Sequence, residues 1–256
     1  MDSWIPDEII FSSPFPLLIL FSLKIVLICG YIISYTVKNL KDFLKDEGMG
    51  LGFQLTDNQI EKFFIYLSEL KKWNKKINLT AIRDDKSIII RLFLESLTFA
   101  YGFPHKETKN ILDIGTGAGI PGIPLKIIYP EISFTLVDSS RKKVAFLKHI
   151  CRQINLTDIE CIAERIEDIA EKYKGCYDVV LSKGVAEMDI LLKASFQLLK
   201  SNGLFITQKG EDLEEKLKGA DVEFKKGNWT IKDIIEINKP IFDRKFRLAV
   251  IQKCFT

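Results

Sequence analysis

The sequence predicts an α/β fold: a mostly parallel, seven-stranded sheet with helices on both faces and a helical lobe ahead of it. Three observations predict it. After Lys109, short apolar runs alternate with helical stretches, the pattern of repeated βα units. A glycine-rich loop stands between the first such run and the next helical stretch. The last two apolar runs are joined through Lys239-Pro-Ile-Phe-Asp243, which makes them an antiparallel pair at one side of the sheet.

Taken in chain order, the first segment is the odd one. Leu17–Ile33 is almost wholly apolar, with Lys24 as its only charge, close to the roughly 20 residues that span a bilayer. Asp2, Asp7 and Glu8 precede it, so it lacks the basic start of a cleaved signal peptide. A membrane anchor is the physical reading. The other reading, and the one preferred here, is translated upstream sequence, with Val37 or Met49 as the start. Membrane contact is expected only through residues 17–33. The expected division is a leader over 1–36, a helical lobe over 37–106 and a sheet domain over 107–256.

Within the lobe, Thr56 or Asp57 can cap a helix that runs from Asn58 to Trp73. Ile60, Phe63, Phe64, Leu67 and Leu70 recur at three and four, giving one buried stripe. A second helix is expected over Ser87–Tyr101, ended by Gly102 and Pro104. The strands are expected at Ile111–Ile114, Ser133–Val137, Ile159–Ile162, Val179–Ser182, Leu204–Gln208, Trp229–Ile237 and Phe246–Gln252. Helices are expected over Ile123–Ile128, Arg141–Asn155, Ile166–Tyr173 and Met188–Leu199.

Composition narrows the function classes. With 256 residues, 47% hydrophobic and 28% charged, the chain can bury a core without cross-links. Five scattered cysteines and two histidines form no metal-ligand spacing and no disulfide framework. No metal is expected, and the compartment is expected to be the reducing cytoplasm. A net charge of +3 does not by itself point to nucleic acid. Local clusters do more: Lys71, Lys72, Lys75 and Lys76; Arg141, Lys142 and Lys143; Arg244, Lys245 and Arg247. Arg165, Lys183 and Lys209 each follow a different strand, so they can rim one mouth and meet phosphates. Trp73 reads as packing at its helix end rather than as a stacking platform.

The chemistry concentrates in Asp113-Ile-Gly-Thr-Gly-Ala-Gly-Ile-Pro-Gly122. In open α/β sheets ligands bind beyond the carboxyl ends of the strands, where this loop sits. A second acid, Asp138, closes the second strand and can accept from the two hydroxyls of a ribose. Gly117 to Gly122 spells GxGxxG, the dinucleotide fingerprint, but there the first glycine should follow the strand almost at once. Here Gly115 does so. The better match is Asp-x-Gly-x-Gly-x-Gly, the loop of Rossmann-like class I S-adenosylmethionine-dependent methyltransferases. Such a site needs room for a sulfonium, an acid near the methionine amine and an acid on the ribose; Asp113 and Asp138 supply the two acids, and Gly115, Gly117 and Gly119 the room.

The target atom is read from the residues after the fourth strand. That segment is Ser182-Lys-Gly-Val-Ala-Glu187, not an Asn-Pro-Pro-Tyr loop for an exocyclic amine. Cys176 precedes the strand, which is out of place for a nucleophile on a pyrimidine carbon. A ring nitrogen with a free lone pair, such as guanine N7, needs alignment and no base.

Several segments then occur in a specific order: Trp73-Asn-Lys-Lys-Ile-Asn-Leu-Thr-Ala-Ile82, the loop from Asp113 to Leu125 with Gly-Ile-Pro-Gly-Ile-Pro, Asp138-Ser with Lys143-Val-Ala-Phe-Leu147, Arg165-Ile-Glu167, Ser182-Lys-Gly-Val-Ala186 and Gln208-Lys-Gly210. Over about residues 38–253 they closely resemble the bacterial 16S ribosomal RNA guanine-N7 methyltransferase family, also called glucose-inhibited division protein B. The resemblance implies that Gly115 and Ile120 line the S-adenosylmethionine site and that Ile166 and Glu167 lie beside the adenine. It implies 16S rRNA, or an assembling small-subunit particle, as the partner of a monomeric enzyme. Lys183, the expected catalytic residue, stands where the family usually has Arg, and Gly184 where it has Ala. Lysine keeps the charge but loses the planar fork. Glu95, with Leu92 or Phe93, stands where the family tends to carry Asp and His.

Overall fold

A computed structural model describes residues 37–184, 188–209 and 229–254. The chain divides into two compact units, Met1–Phe43 and Leu44–Thr256. Residues 37–43 of the first are helical, and Leu17–Ile33 lies outside the described residues. Among the described residues no helix is long and apolar enough to cross a membrane. The second unit carries the sheet.

Its seven strands are β1 (Asn110–Ile114), β2 (Ser133–Val137), β3 (Ile159–Ile162), β4 (Tyr177–Lys183), β5 (Leu199–Lys209), β6 (Trp229–Ile237) and β7 (Phe246–Lys253). They form one sheet in the order β3-β2-β1-β4-β5-β7-β6. The first five are parallel, and β7 runs antiparallel to both β5 and β6. From β1 the chain builds one side of the sheet through β2 and β3, then crosses to β4. The carboxyl ends of β1 and β4 therefore flank the point where strand order reverses, the place for a ligand in an open sheet.

Helix α1 (Asp57–Asn74) begins at a capping box: Gln59 N–H donates to the Thr56 hydroxyl at 3.3 Å, and Thr56 N–H to Gln59 Oε1 at 2.9 Å. Its buried stripe contains Ile60, Phe63, Tyr66, Leu67 and Leu70, close to the expected one. Asn74 ends it and fastens the next loop, accepting from Leu79 N–H and Thr80 N–H and donating to the Thr80 carbonyl. That accounts for the asparagine of the Trp-Asn-Lys segment.

The helix expected over Ser87–Tyr101 is instead a composite, here α2: an α turn (Asp85–Ile88), a π stretch (Ile89–Leu94), an α turn (Glu95–Leu97) and a 3-10 end (Thr98–Gly102). The Ser96 hydroxyl donates to the Leu92 carbonyl, and the Thr98 hydroxyl to the Glu95 carbonyl at 2.7 Å. Such side-chain bonds compete with the regular backbone ladder. The remaining helices are α3 (Gly122–Ile128), α4 (Arg141–Gln153), α5 (Ile166–Ile169) and α6 (Met188–Leu198). Helix α5 stops short of the expected Tyr173. From Ala170 the chain turns, the Tyr173 ring stacks on Tyr177 of β4, and Gly175 N–H bonds the Gln197 carbonyl of α6.

Alternation along β1 sends Leu112 and Ile114 to one face, where they join Val180, Phe205, Ala249 and Ile251 beneath Ile169 of α5 and Leu191, Leu192 and Leu198 of α6. Ile111 and Asp113 alternate to the opposite face. There α1 reaches α3, with Gln59 Nε2 bonding the Ile127 carbonyl at 3.1 Å. It also reaches α4, where Phe146 lies 6.3 Å from the Tyr66 ring and 5.7 Å from Trp73. Trp73 thus packs at its helix end, as expected.

Candidate active site

The glycine loop links β1 to α3, and Asp113 lies beneath it with no exposed surface. Asp113 Oδ2 accepts from the Thr116 hydroxyl at 2.6 Å and from Gly122 N–H at 2.8 Å. Its Oδ1 is buried with no partner among the described residues. Burial pushes the carboxyl up to about 7, against the pull of the Thr116 and Gly122 hydrogen bonds. Gly122 admits this arrangement: a Cβ there would meet Leu136 Cδ2 at 2.3 Å and Asp113 Oδ2 at 2.9 Å. Gly119, at φ 94°, would place a Cβ 2.4 Å from Ile123 Cδ1.

Asp138, just past β2, is 7% exposed. It accepts from Gly117 N–H at 3.0 Å and Ser140 N–H at 2.9 Å, with Lys143 Nζ at 3.6 Å. The loop is held from its other side by Tyr66 of α1, fully buried, whose hydroxyl donates to the Ala118 carbonyl.

Beside Asp138 opens a cleft of about 240 Å³; Asp113, expected to meet the methionine amine, is fully buried and does not line it. Ile114 and Gly115 border it from β1, Val137, Asp138 and Ser139 from β2, Glu164 to Glu167 from the segment after β3, and Ile190 and Leu191 from α6. Gly115, Asp138, Ile166 and Glu167 therefore come together. Gly117 and Gly119 shape the loop without lining the cleft, and Ile120 is buried at 8% exposure with its N–H on the Thr116 carbonyl. A larger cavity, about 320 Å³, includes Asp178, Lys200 and Gly203. It lies at the amino ends of β4 and β5, away from the glycine loop, where Asp178 already accepts from Lys109 N–H, Asn110 N–H and Lys200.

Lys183 ends β4. Ile114 pairs with Ser182, so Gly115 and Lys183 leave neighbouring strand ends together. The ammonium does not point free: it donates to the Arg91 carbonyl at 2.8 Å and pairs with Glu95 Oε2 at 3.0 Å. Burial pulls it below its usual range, opposed by Glu95 and reinforced by the nearby Arg244 and Arg91 cations. Among the basic clusters, Lys71 and Lys72 are engaged by Asp85 and Glu69. The Lys209 side chain lies outside the described residues.

Glu95, in the run Leu92-Phe-Leu-Glu-Ser-Leu97, was noted in the sequence but was given no role and no partner there. Tyr66 escaped notice as a functional residue: it falls on the apolar stripe of α1, where nothing in the pattern distinguishes its hydroxyl from a phenylalanine edge.

The profile of the GidB family, rRNA small subunit methyltransferase G, matches residues 59–244. Ribosomal RNA small subunit methyltransferase G of Alkaliphilus oremlandii is 37% identical over 216 residues, 84% of this chain and 90% of its own. That of Clostridium kluyveri is 40% identical over 205 residues, 79% of this chain and 86% of its own. The chain belongs to the GidB family. It is accordingly an S-adenosylmethionine-dependent methyltransferase whose substrate is small-subunit ribosomal RNA. Of solved folds, M. jannaschii TYW2 in complex with AdoMet superposes with a TM-score of 0.50 at 19% identity, over 70% of this chain and 78% of its own.

The site chemistry fits the cofactor of the GidB family. Apolar walls from Ile166, Ile190 and Leu191 suit a flat base. The Asp138 and Glu167 carboxylates suit hydroxyl and amine donors. The side-chain-free edge at Gly115 admits close approach to backbone.

Proposed function

We propose that the protein methylates N7 of one guanine in 16S rRNA. Membership of the GidB family over residues 59–244 carries this reading. Bound S-adenosylmethionine would supply the methyl group, the guanine N7 lone pair in the ring plane taking the carbon as the sulfur–carbon bond breaks and a neutral thioether remains. No proton moves, and the ring gains the positive charge. The work of this chain is then orientation and exclusion of water.

In this reading Asp138 takes the ribose hydroxyls, and Ile166 and Glu167 hold the adenine. Gly115, Gly117, Gly119 and Ile120 form the loop that meets the cofactor backbone-first. Asp113, buried beneath the loop, shapes it through Thr116 and Gly122. Lys183, beside Gly115, holds the RNA against the methyl. The enzyme works as a monomer in the cytoplasm, on rRNA or an assembling particle, and residues 1–36 are dispensable for the reaction.

The test is an N7-methylguanine map of small-subunit rRNA by borohydride–aniline cleavage and primer extension. One stop should vanish with the gene and return when residues 37–256 alone are supplied. Identical maps with and without the gene would remove the N7 assignment.

A further inference from the structure

The Glu95 carboxylate is 1% exposed, yet four groups from four elements converge on it or on its partner. Lys183 of β4 lies 3.0 Å from Oε2, Gln208 Nε2 of β5 lies 3.4 Å from it, and Arg244 Nη2 of the β6–β7 connection lies 3.7 Å from it. The Arg91 carbonyl of α2 takes a second donor of the same ammonium. Glu95 Oε1 has no partner among the described residues. A buried carboxylate is costly to desolvate, and a buried ion pair is a weak stability device. Its geometry is better suited to fixing a cation.

We propose that Glu95 is the positioning residue that fixes the Lys183 ammonium at the mouth of the methyl-transfer site and keeps it charged. This rests on the reading that Lys183 holds the RNA. Two of the three ammonium donors are committed, to Glu95 and Arg91, which sets the direction of the third. The Lys183 side chain keeps 15% of its surface exposed.

The charges around Lys183 make the idea testable. Facing it are Glu95 and the Arg91 side chain on α2, Arg244 on the β6–β7 connection and Asp113 on β1. Glu95 raises its proton affinity, while burial and the two arginines lower it. Removing the Glu95 charge leaves the ammonium among cations, so it sheds its proton at lower pH.

The experiment uses the full chain, small-subunit particles lacking the modification, and single-turnover methyl transfer from pH 6 to 10. The variants are Lys183→Met, Glu95→Gln, Glu95→Asp and the double variant Glu95→Gln with Lys183→Arg. Binding of S-adenosylhomocysteine reports that each is folded. Glu95→Gln should move the alkaline limb to lower pH, with transfer at pH 8 reduced about tenfold. The double variant should restore transfer at pH 8 and show no alkaline limb, because arginine does not titrate there. Glu95→Asp, which keeps the charge but draws it back, should lower the rate without moving the limb.

If Lys183→Met transfers at the wild-type rate, the Lys183 reading fails and this inference with it. If Lys183→Met is inactive while Glu95→Gln keeps the wild-type profile, the inference about Glu95 alone is overturned. It is equally overturned if Glu95→Gln loses activity uniformly with pH and arginine restores nothing. Should Glu95→Gln not fold, a wild-type rate for Glu95→Asp would overturn the positioning role.

Discussion

Asp113 binds its proton more tightly in the folded chain than in the unfolded one, since burial lifts it from 3.8 to about 7. The stability it contributes is therefore complete below about pH 4 and is lost as pH rises through about 7. Urea unfolding at pH 5 and pH 8 should show the wild type losing stability over that interval, and Asp113→Asn losing less. Glu69 acts in the opposite sense and lower on the scale. Lys72 and His149 hold its carboxyl below the usual 4.5, so its contribution disappears only on acidification. Tyr66 gives a second expectation. Tyr66→Phe keeps the ring against Phe93 and Phe146 but leaves the buried Ala118 carbonyl without its donor. Weakened holding of the glycine loop should raise the S-adenosylhomocysteine dissociation constant about tenfold by calorimetry. At this scale the acids and glycines were legible from residue type and spacing. Their partners were not: Asp113 was expected near the methionine amine, and spacing could not say that Thr116 and Gly122 would occupy one of its oxygens and hold it buried beneath the loop.

Elements were most legible where one periodicity governed them. Ser133–Val137, Ile159–Ile162 and Trp229–Ile237 match the expected strands residue for residue, because an apolar run between turn residues defines both ends. Helix α1 was equally plain, and its capping box gives an independent check. Thr56→Ala should cost about 1 kcal/mol of unfolding free energy by denaturant titration and leave cofactor affinity unchanged, because the cap is remote from the cleft. Helix α2 was not legible in full. A π stretch keeps the apolar character of an α-helix and differs only in which carbonyl each N–H reaches, so hydrophobic pattern cannot report it. The consequence is functional, since Glu95 is the first residue after that stretch. Irregularity in the helix sets the register from which the carboxylate reaches Lys183.

For the whole molecule, ligand linkage gives the broadest check. S-adenosylhomocysteine at about 100 times its dissociation constant should add about 2.7 kcal/mol to the folded state. For a chain of this size that raises Tm by roughly 5–10 °C. NAD at the same concentration should leave Tm unmoved, and the reverse pattern would overturn the cofactor assignment. Sheet topology was foreseeable because βα repeats constrain handedness and neighbour relations. The cluster joining α2, β4, β5 and the β6–β7 connection was not, since it depends on side chains meeting across long stretches of sequence.

One strand also governs when this enzyme can exist. β7 is the last of the seven to be synthesised, yet it lies inside the sheet, between β5 and β6. The parallel strands β1 to β4, which carry the glycine loop and Asp138, can assemble while the chain is still emerging from the ribosome. β6 has no neighbour until β7 arrives, and Arg244 is translated only just before it. In a nascent chain the parallel strands can thus pair before β6 finds its place, and the outer part of the sheet waits for β7 to join it to β5.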